Sequence, residues 1–296
     1  MRKSIAIIIT SILVLSGCNK QQSVSDRLLN EVEKAIAINP DSASNLLKSI
    51  SSPEKLDDKA FARWCMLSGK ITDEIFNSIL PTYQLERAYD WYSSHGSPDE
   101  QVQILIYLGR SYFADGDYDK AMSIYTNALD IAGKNKLNNL IGYTYDYIGD
   151  LYREKFMRTE AIKRYEIAAE YFKKEKNTDS YACALRDIGR EYAQMDSLSH
   201  ALNILIIADS VAANTSNINV TASINNALGN IYSMQNKYDK AEEYLLKALL
   251  TGREKMPDYV ALIDLYTASN SINKAKELLS CLLYTSPSPR DRTRSR

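Results

Sequence analysis

The chain has 296 residues, 45% hydrophobic and 25% charged, with a formal net charge of −1. That balance suits a folded protein with a sizeable core and excludes a strongly basic, phosphate-gripping chain, because phosphate contacts need clustered cations. Four cysteines are too few for a disulfide-stapled scaffold of this length, and two histidines leave little for a histidine-based metal site.

The first seventeen residues carry Arg2 and Lys3 and then an apolar run from Ile5 to Leu15. A membrane span needs about 20 apolar residues, so this run predicts a secretory signal (residues 1–17) rather than an anchor helix. It ends in Leu15-Ser16-Gly17-Cys18, which resembles a bacterial lipobox. That resemblance implies removal of the signal and lipidation of Cys18, and so a periplasm-facing, membrane-anchored protein of the cell envelope. Asn19 in place of aspartate is a slight pointer toward the outer membrane and leaves outer versus inner open. Residues 18–26 are polar and read as a tether.

Residues 27–100 show helical periodicity with breaks. Leu28 to Ile50 is interrupted at Asn39-Pro40, and Phe61 to Lys70 and Tyr83 to Ser94 flank Pro81, which predicts two irregular helical hairpins.

From residue 101 a motif recurs every forty residues: Leu108-Gly109…Tyr112, Ile148-Gly149…Tyr152, Ile188-Gly189…Tyr192 and Leu228-Gly229…Tyr232. Paired alanines follow each copy at fixed offsets: Ala121 and Ala128, Ala161 and Ala168, Ala201 and Ala208, Ala241 and Ala248. Such a period predicts stacked helical hairpins. Glycine within a helix costs about 1 kcal/mol relative to alanine, so its repetition calls for close helix approach, with each glycine facing the first alanine of its partner helix. Tyr112, Tyr125, Tyr152, Tyr165, Tyr192, Leu205, Tyr232 and Leu245 would fill the wider gaps. Asp115-Gly116-Asp117 and Asn236-Lys237 supply turns between the two helices of a hairpin.

This pattern resembles the tetratricopeptide repeat. The match is good over four units, Val102 to Leu250, and a fifth, truncated unit has Leu262, Tyr266, Ala275 and Leu279 but Ile263 in place of glycine. The family's tryptophan in the first helix and its proline at the unit's end are absent here. The fold class implied is all-α, a right-handed superhelical solenoid of tetratricopeptide-like hairpins with a period of about forty, each helix about three residues longer than usual. Asn39 to Leu47 further resembles the start of tetratricopeptide lipoproteins common in Bacteroidetes.

In that family the first helix of each hairpin lines a concave groove. Carried over by register, the groove residues are Gln103, Ile106, Arg110 and Phe113, then Tyr143, Asp146, Asp150 and Arg153, then Arg186 and Arg190, then Asn226 and Asn230. The like-charged pairs Asp146/Asp150 and Arg186/Arg190 destabilise an isolated helix. Two readings stand: arginines 110, 186 and 190 flank the aspartates as an ion ladder between helices, or Arg186 and Arg190 hold a carboxylate of a peptide bidentately. Most of the 21 tyrosines fall at packing positions.

No chemistry competes with binding. His95 lies in a Ser-Gly-Pro loop and His200 at a helix start, neither with ligands at metal spacing, and no phosphate loop or nucleophile motif is present. The expectation is a protein without enzyme activity, cofactor or metal. Cys65 and Cys183 lie several helices apart and are expected to be buried, unpaired thiols.

At Ser280 the repeat register fails. The residues from Cys281 look like a translated sequencing-library adapter, and 281–296 is read as an artefactual tail. Taking away the two positive charges of the signal and the net three of this tail leaves −6 on the remainder. The reading is a lipid-anchored cell-envelope scaffold binding a protein or peptide partner, with no nucleic acid bound by this fragment. Two alternatives remain: the sensory N-terminal part of a longer membrane-spanning transcriptional regulator cut at about Ser280, and a glycan-binding outer-membrane lipoprotein.

Overall fold

A computed structural model describes residues 26–75, 79–253 and 255–285. The signal, Cys18, the tether up to residue 25 and the stretch 286–296 lie outside the described residues. The chain forms two compact units, Met1–Leu140 and Ile141–Arg296.

In the first unit, α1 covers residues 26–36 and α2 Pro40–Lys48. The break between them follows from chemistry: Pro40 has no N–H to continue a helix but fits its first turn, and the Asn39 side chain accepts from the Ser42 N–H at 2.9 Å. Next come α3 (Asp58–Ile75), α4 (Thr82–His95), α5 (Pro98–Ala114) and α6 (Tyr118–Lys134). Helix α5 starts with Ser97 and Glu100 capping each other's backbone N–H, and Pro98 in the first turn. One core joins Phe61, Cys65, Leu85, Tyr92, Ile104 and Leu108.

The second unit is more regular. It contains α7 (Asn138–Glu154, entering from the first unit), α8 (Arg158–Lys174), α9 (Thr178–Gln194), α10 (Leu198–Ala212), α11 (Ile218–Met234), α12 (Tyr238–Thr251), α13 (Met256–Ala268) and α14 (Ile272–Thr285). Helices α7, α8, α9 and α11 are 17 residues long, about 25 Å, as the forty-residue period requires. Helix α14 continues five residues beyond Ser280, so the helix outlasts the point where the repeat register fails. Helices α9 and α10 pack as a hairpin, as do α11 and α12. Along one side the first helices of successive hairpins also touch, α9 against α11 and α11 against α13, which marks that side as the crowded, inner face.

The turns keep the same beat. Gly116, Lys136, Phe156, Lys176, Asp196 and Asn236 all take positive φ, between 55° and 79°, just after a helix ends. These are left-handed helix stops, whose N–H groups reach back to the last carbonyls.

The glycines need correction in one respect. They do not chiefly face the paired alanines. A side chain on Gly109 would strike the Tyr125 ring, one on Gly149 the Tyr165 ring, one on Gly189 Leu205 at 2.8 Å, and one on Gly229 Leu245 at 2.6 Å. Each glycine makes room for the large residue sixteen positions on, and only then do the Ala201 and Ala241 carbonyls come near, at 3.4 and 3.2 Å. The alanines form the floor: Ala121, Ala128, Ala161, Ala168, Ala201, Ala208, Ala241 and Ala248 are all fully buried.

Candidate functional site

The inner face of the second unit is polar where a helical core would be apolar. Helix α7 places Asp146 and Asp150 there, with Arg153 in its last turn, and α9 places Arg186 and Arg190. The structure adds a residue the register did not indicate. Asp187, only 6% exposed, is gripped by Arg186 through Nε–Oδ1 at 3.0 Å and Nη2–Oδ2 at 2.6 Å. Arg190 reaches the same carboxylate through Nη1 at 3.3 Å. The remaining Arg186 nitrogen, Nη1, donates to Ser223 Oγ on α11 at 2.9 Å.

Asp150 is satisfied separately. Arg153 Nη1 lies 2.7 Å from it, and the buried Tyr165 hydroxyl donates to it at 2.8 Å. The predicted ladder between helices is therefore not what forms. Among these groove residues the ion pairs run along each helix, Arg153 to Asp150 and both α9 arginines to Asp187. In the first unit Arg110 pairs with Asp73 of α3, which also accepts from the Tyr107 hydroxyl at 3.0 Å.

Burial sets the electrostatics. It disfavours the charge of Asp187, but Arg186 outweighs it and holds the carboxyl below its ordinary value. Burial pushes Asp146 well above the carboxylate range, helped by Asp150 and then Asp187, and raises Asp150 too, where Arg153 opposes it. Arg190 is lowered to about 10, first by burial and then by the neighbouring Arg186.

The other expected groove residues divide. Tyr143 joins the polar face, its hydroxyl 3.0 Å from both Asn177 Nδ2 and Ser180 Oγ. Asn230 is exposed and donates to Asn226 Oδ1 at 3.0 Å. Asn226 is 6% exposed and donates to buried Asp258 at 2.7 Å, so it braces α11 against α13 instead of lining open space. Ile106 is likewise a core residue, 5% exposed. Gln103 bonds Asp99, and the Phe113 ring lies against Tyr118 with centroids 5.5 Å apart. Cys65 is buried; Cys183, expected to be buried, is only partly so, and both are free thiols. His200 stacks on Tyr192, and His95 contacts the Trp91 carbonyl at 3.0 Å.

Sequence comparison finds two matches to tetratricopeptide-repeat models, at residues 105–138 and 221–256. The photosystem I assembly protein Ycf3 of Rippkaea orientalis is 32% identical over 91 residues, 30% of this chain and 52% of that protein, so the chain spans about half the length of this curated relative. Among solved structures, a Rap protein complexed with Competence and Sporulation Factor has a TM-score of 0.72 at 19% identity, covering 90% of this chain and 77% of that one. BtubC from P. vanneervenii has a TM-score of 0.58 at 18% identity, covering 70% and 93%. The apo quorum sensor NprR from B. thuringiensis has 0.56 at 15%, covering 88% and 75%. At such identities these structures share the fold alone. With the glycine–tyrosine packing and the forty-residue hairpins, the matches make this a chain that carries tetratricopeptide repeats.

Proposed function

We propose that the chain is a non-catalytic scaffold that holds a protein or peptide partner against the inner face of its second unit, and that lipid on Cys18 anchors it in the cell envelope. Repeat stacks use their concave side for binding. The observation that carries the reading is Arg190. Its side chain is 42% exposed, and its single 3.3 Å contact is to a carboxylate already held bidentately by Arg186, so much of its hydrogen-bonding capacity faces the inner surface. A carboxylate on the partner fits that capacity. The Rap protein solved with Competence and Sporulation Factor offers a parallel of fold, with a bound factor in that protein.

Affinity capture from the native cell, comparing the wild type with Arg190→Glu, tests the site. The variant should lose the partner while keeping its melting temperature within a few degrees. A partner retained at wild-type yield would contradict the site. Anchoring is tested separately: Cys18→Ala should move the protein from the membrane fraction to the soluble fraction.

A further inference from the structure

Three carboxylates and three guanidiniums meet on the inner face of α7 and α9: Asp146, Asp150 and Asp187 with Arg153, Arg186 and Arg190. The set is formally neutral, yet its pairing is uneven. Asp150 takes Arg153, and Asp187 takes Arg186. One group of each sign is left over. Asp146 makes no hydrogen bond or ion pair among the described residues, and the cation that acts on it most strongly, Arg186, has every nitrogen committed to Asp187, Ser223 or Cys183. Arg190 has only the long contact to the shared Asp187.

The two leftovers do not neutralise each other, because the repeat sets them apart. Asp146 shares its register with Arg186, and Arg190 lies one turn further along α9, about 6 Å. Neighbouring packed helices add about 8–10 Å across. The two anchors are thus about 10–12 Å apart, with both side chains only partly covered.

Resting on the inner-face reading above, we infer that the partner segment carries a basic and an acidic residue three or four positions apart, the basic one on Asp146 and the acidic one on Arg190. An extended peptide spans about 10–14 Å over that separation. A purely acidic ligand would satisfy Arg190 and meet Asp146 with like charge. A purely basic one would do the reverse.

The test is selection of a random dodecapeptide phage library on the detergent-solubilised full chain, followed by anisotropy with the best peptide. Recovered sequences should carry Lys or Arg and Asp or Glu at that spacing. Replacing either peptide charge by alanine should weaken binding at least tenfold. Loss of the acidic residue should cease to matter in Arg190→Gln, and loss of the basic one in Asp146→Asn. Peptides whose binding depends on Arg190 but not on Asp146 overturn the mixed-charge inference and leave the inner-face reading standing. Binding independent of Arg190, or no enriched peptide, overturns both.

Discussion

Arg186 and Asp187 are neighbours in sequence and yet form a two-pronged ion pair, with Nε–Oδ1 at 3.0 Å and Nη2–Oδ2 at 2.6 Å. Adjacent helical residues do not normally face each other. Here the long arginine folds back because Asp187 is buried and its direct ion-pair partners are the two α9 arginines. Asp187→Ala should therefore cost about 3–5 kcal/mol of stability by leaving two guanidiniums uncompensated, as breaking a buried pair does. Urea denaturation measures it; a loss under 1 kcal/mol would show that the pair is not structural.

The same cluster sets a pH dependence. Asp146 has a folded-state value raised above its unfolded one by burial, Asp150 and Asp187, against Arg186 and Arg153. The folded state then holds its proton more tightly, so this group destabilises above its folded value, and the penalty shrinks as pH falls through that value and is gone below the unfolded value near 3.8. Asp187, lowered by Arg186 despite burial, acts oppositely: its contribution is present above the ordinary carboxylate value near 3.8 and is lost only below it. Stability should rise as pH is lowered through the raised folded-state value of Asp146, and should fall once pH drops below the ordinary carboxylate value near 3.8, where Asp187 is protonated. Asp146→Asn should flatten the first limb and raise the melting temperature at pH 8.

Glycines at different registers should respond in opposite directions. Gly149→Ala pushes a methyl into the Tyr165 ring and should destabilise by about 1–3 kcal/mol. Gly133 lies near the end of α6 with nothing within 4 Å of the added carbon, so Gly133→Ala should be neutral or gain about 0.5–1 kcal/mol. Thermal melts of the two variants compare them directly.

Phe156 is the odd member of the positive-φ stops. It sits at φ 57° with its ring 79% exposed, where other hairpins use Gly116, Asp196 and Asn236. A bulky side chain strains that conformation and the exposed ring recovers little. Phe156→Asn should stabilise by about 0.5–1 kcal/mol in chemical denaturation; a destabilised variant would show that the ring contributes to the fold.

The repeat was legible because packing enforces it. Gly109, Gly149, Gly189 and Gly229 must be small to admit Tyr125, Tyr165, Leu205 and Leu245, and a forty-residue beat of small and large residues is visible in one sequence. Asp187 falls outside the inward register positions, which on this helix are those of Arg186 and Arg190. A signal was present: the same register holds Tyr107, Tyr147 and Ala227 in the other units, and Glu191, 2% exposed and paired with Arg158, stands where Leu151 and Ile231 do. An acid replacing a core residue must find a cation, and that requirement points to the cluster. Nothing in register alone could separate Asn226, buried on Asp258, from Asn230, exposed on the same helix, because that depends on how α13 packs.

The central claim, that the inner face of the second unit is where a partner sits, is tested most directly by photocrosslinking in the native cell. A photoreactive residue at exposed Asn230 is compared with one at Ile206, 51% exposed on helix α10. The account predicts a discrete crosslinked product from position 230 that disappears with Arg190→Glu, and none from position 206. Equal products from both positions, or a product at 230 indifferent to Arg190→Glu, would contradict it.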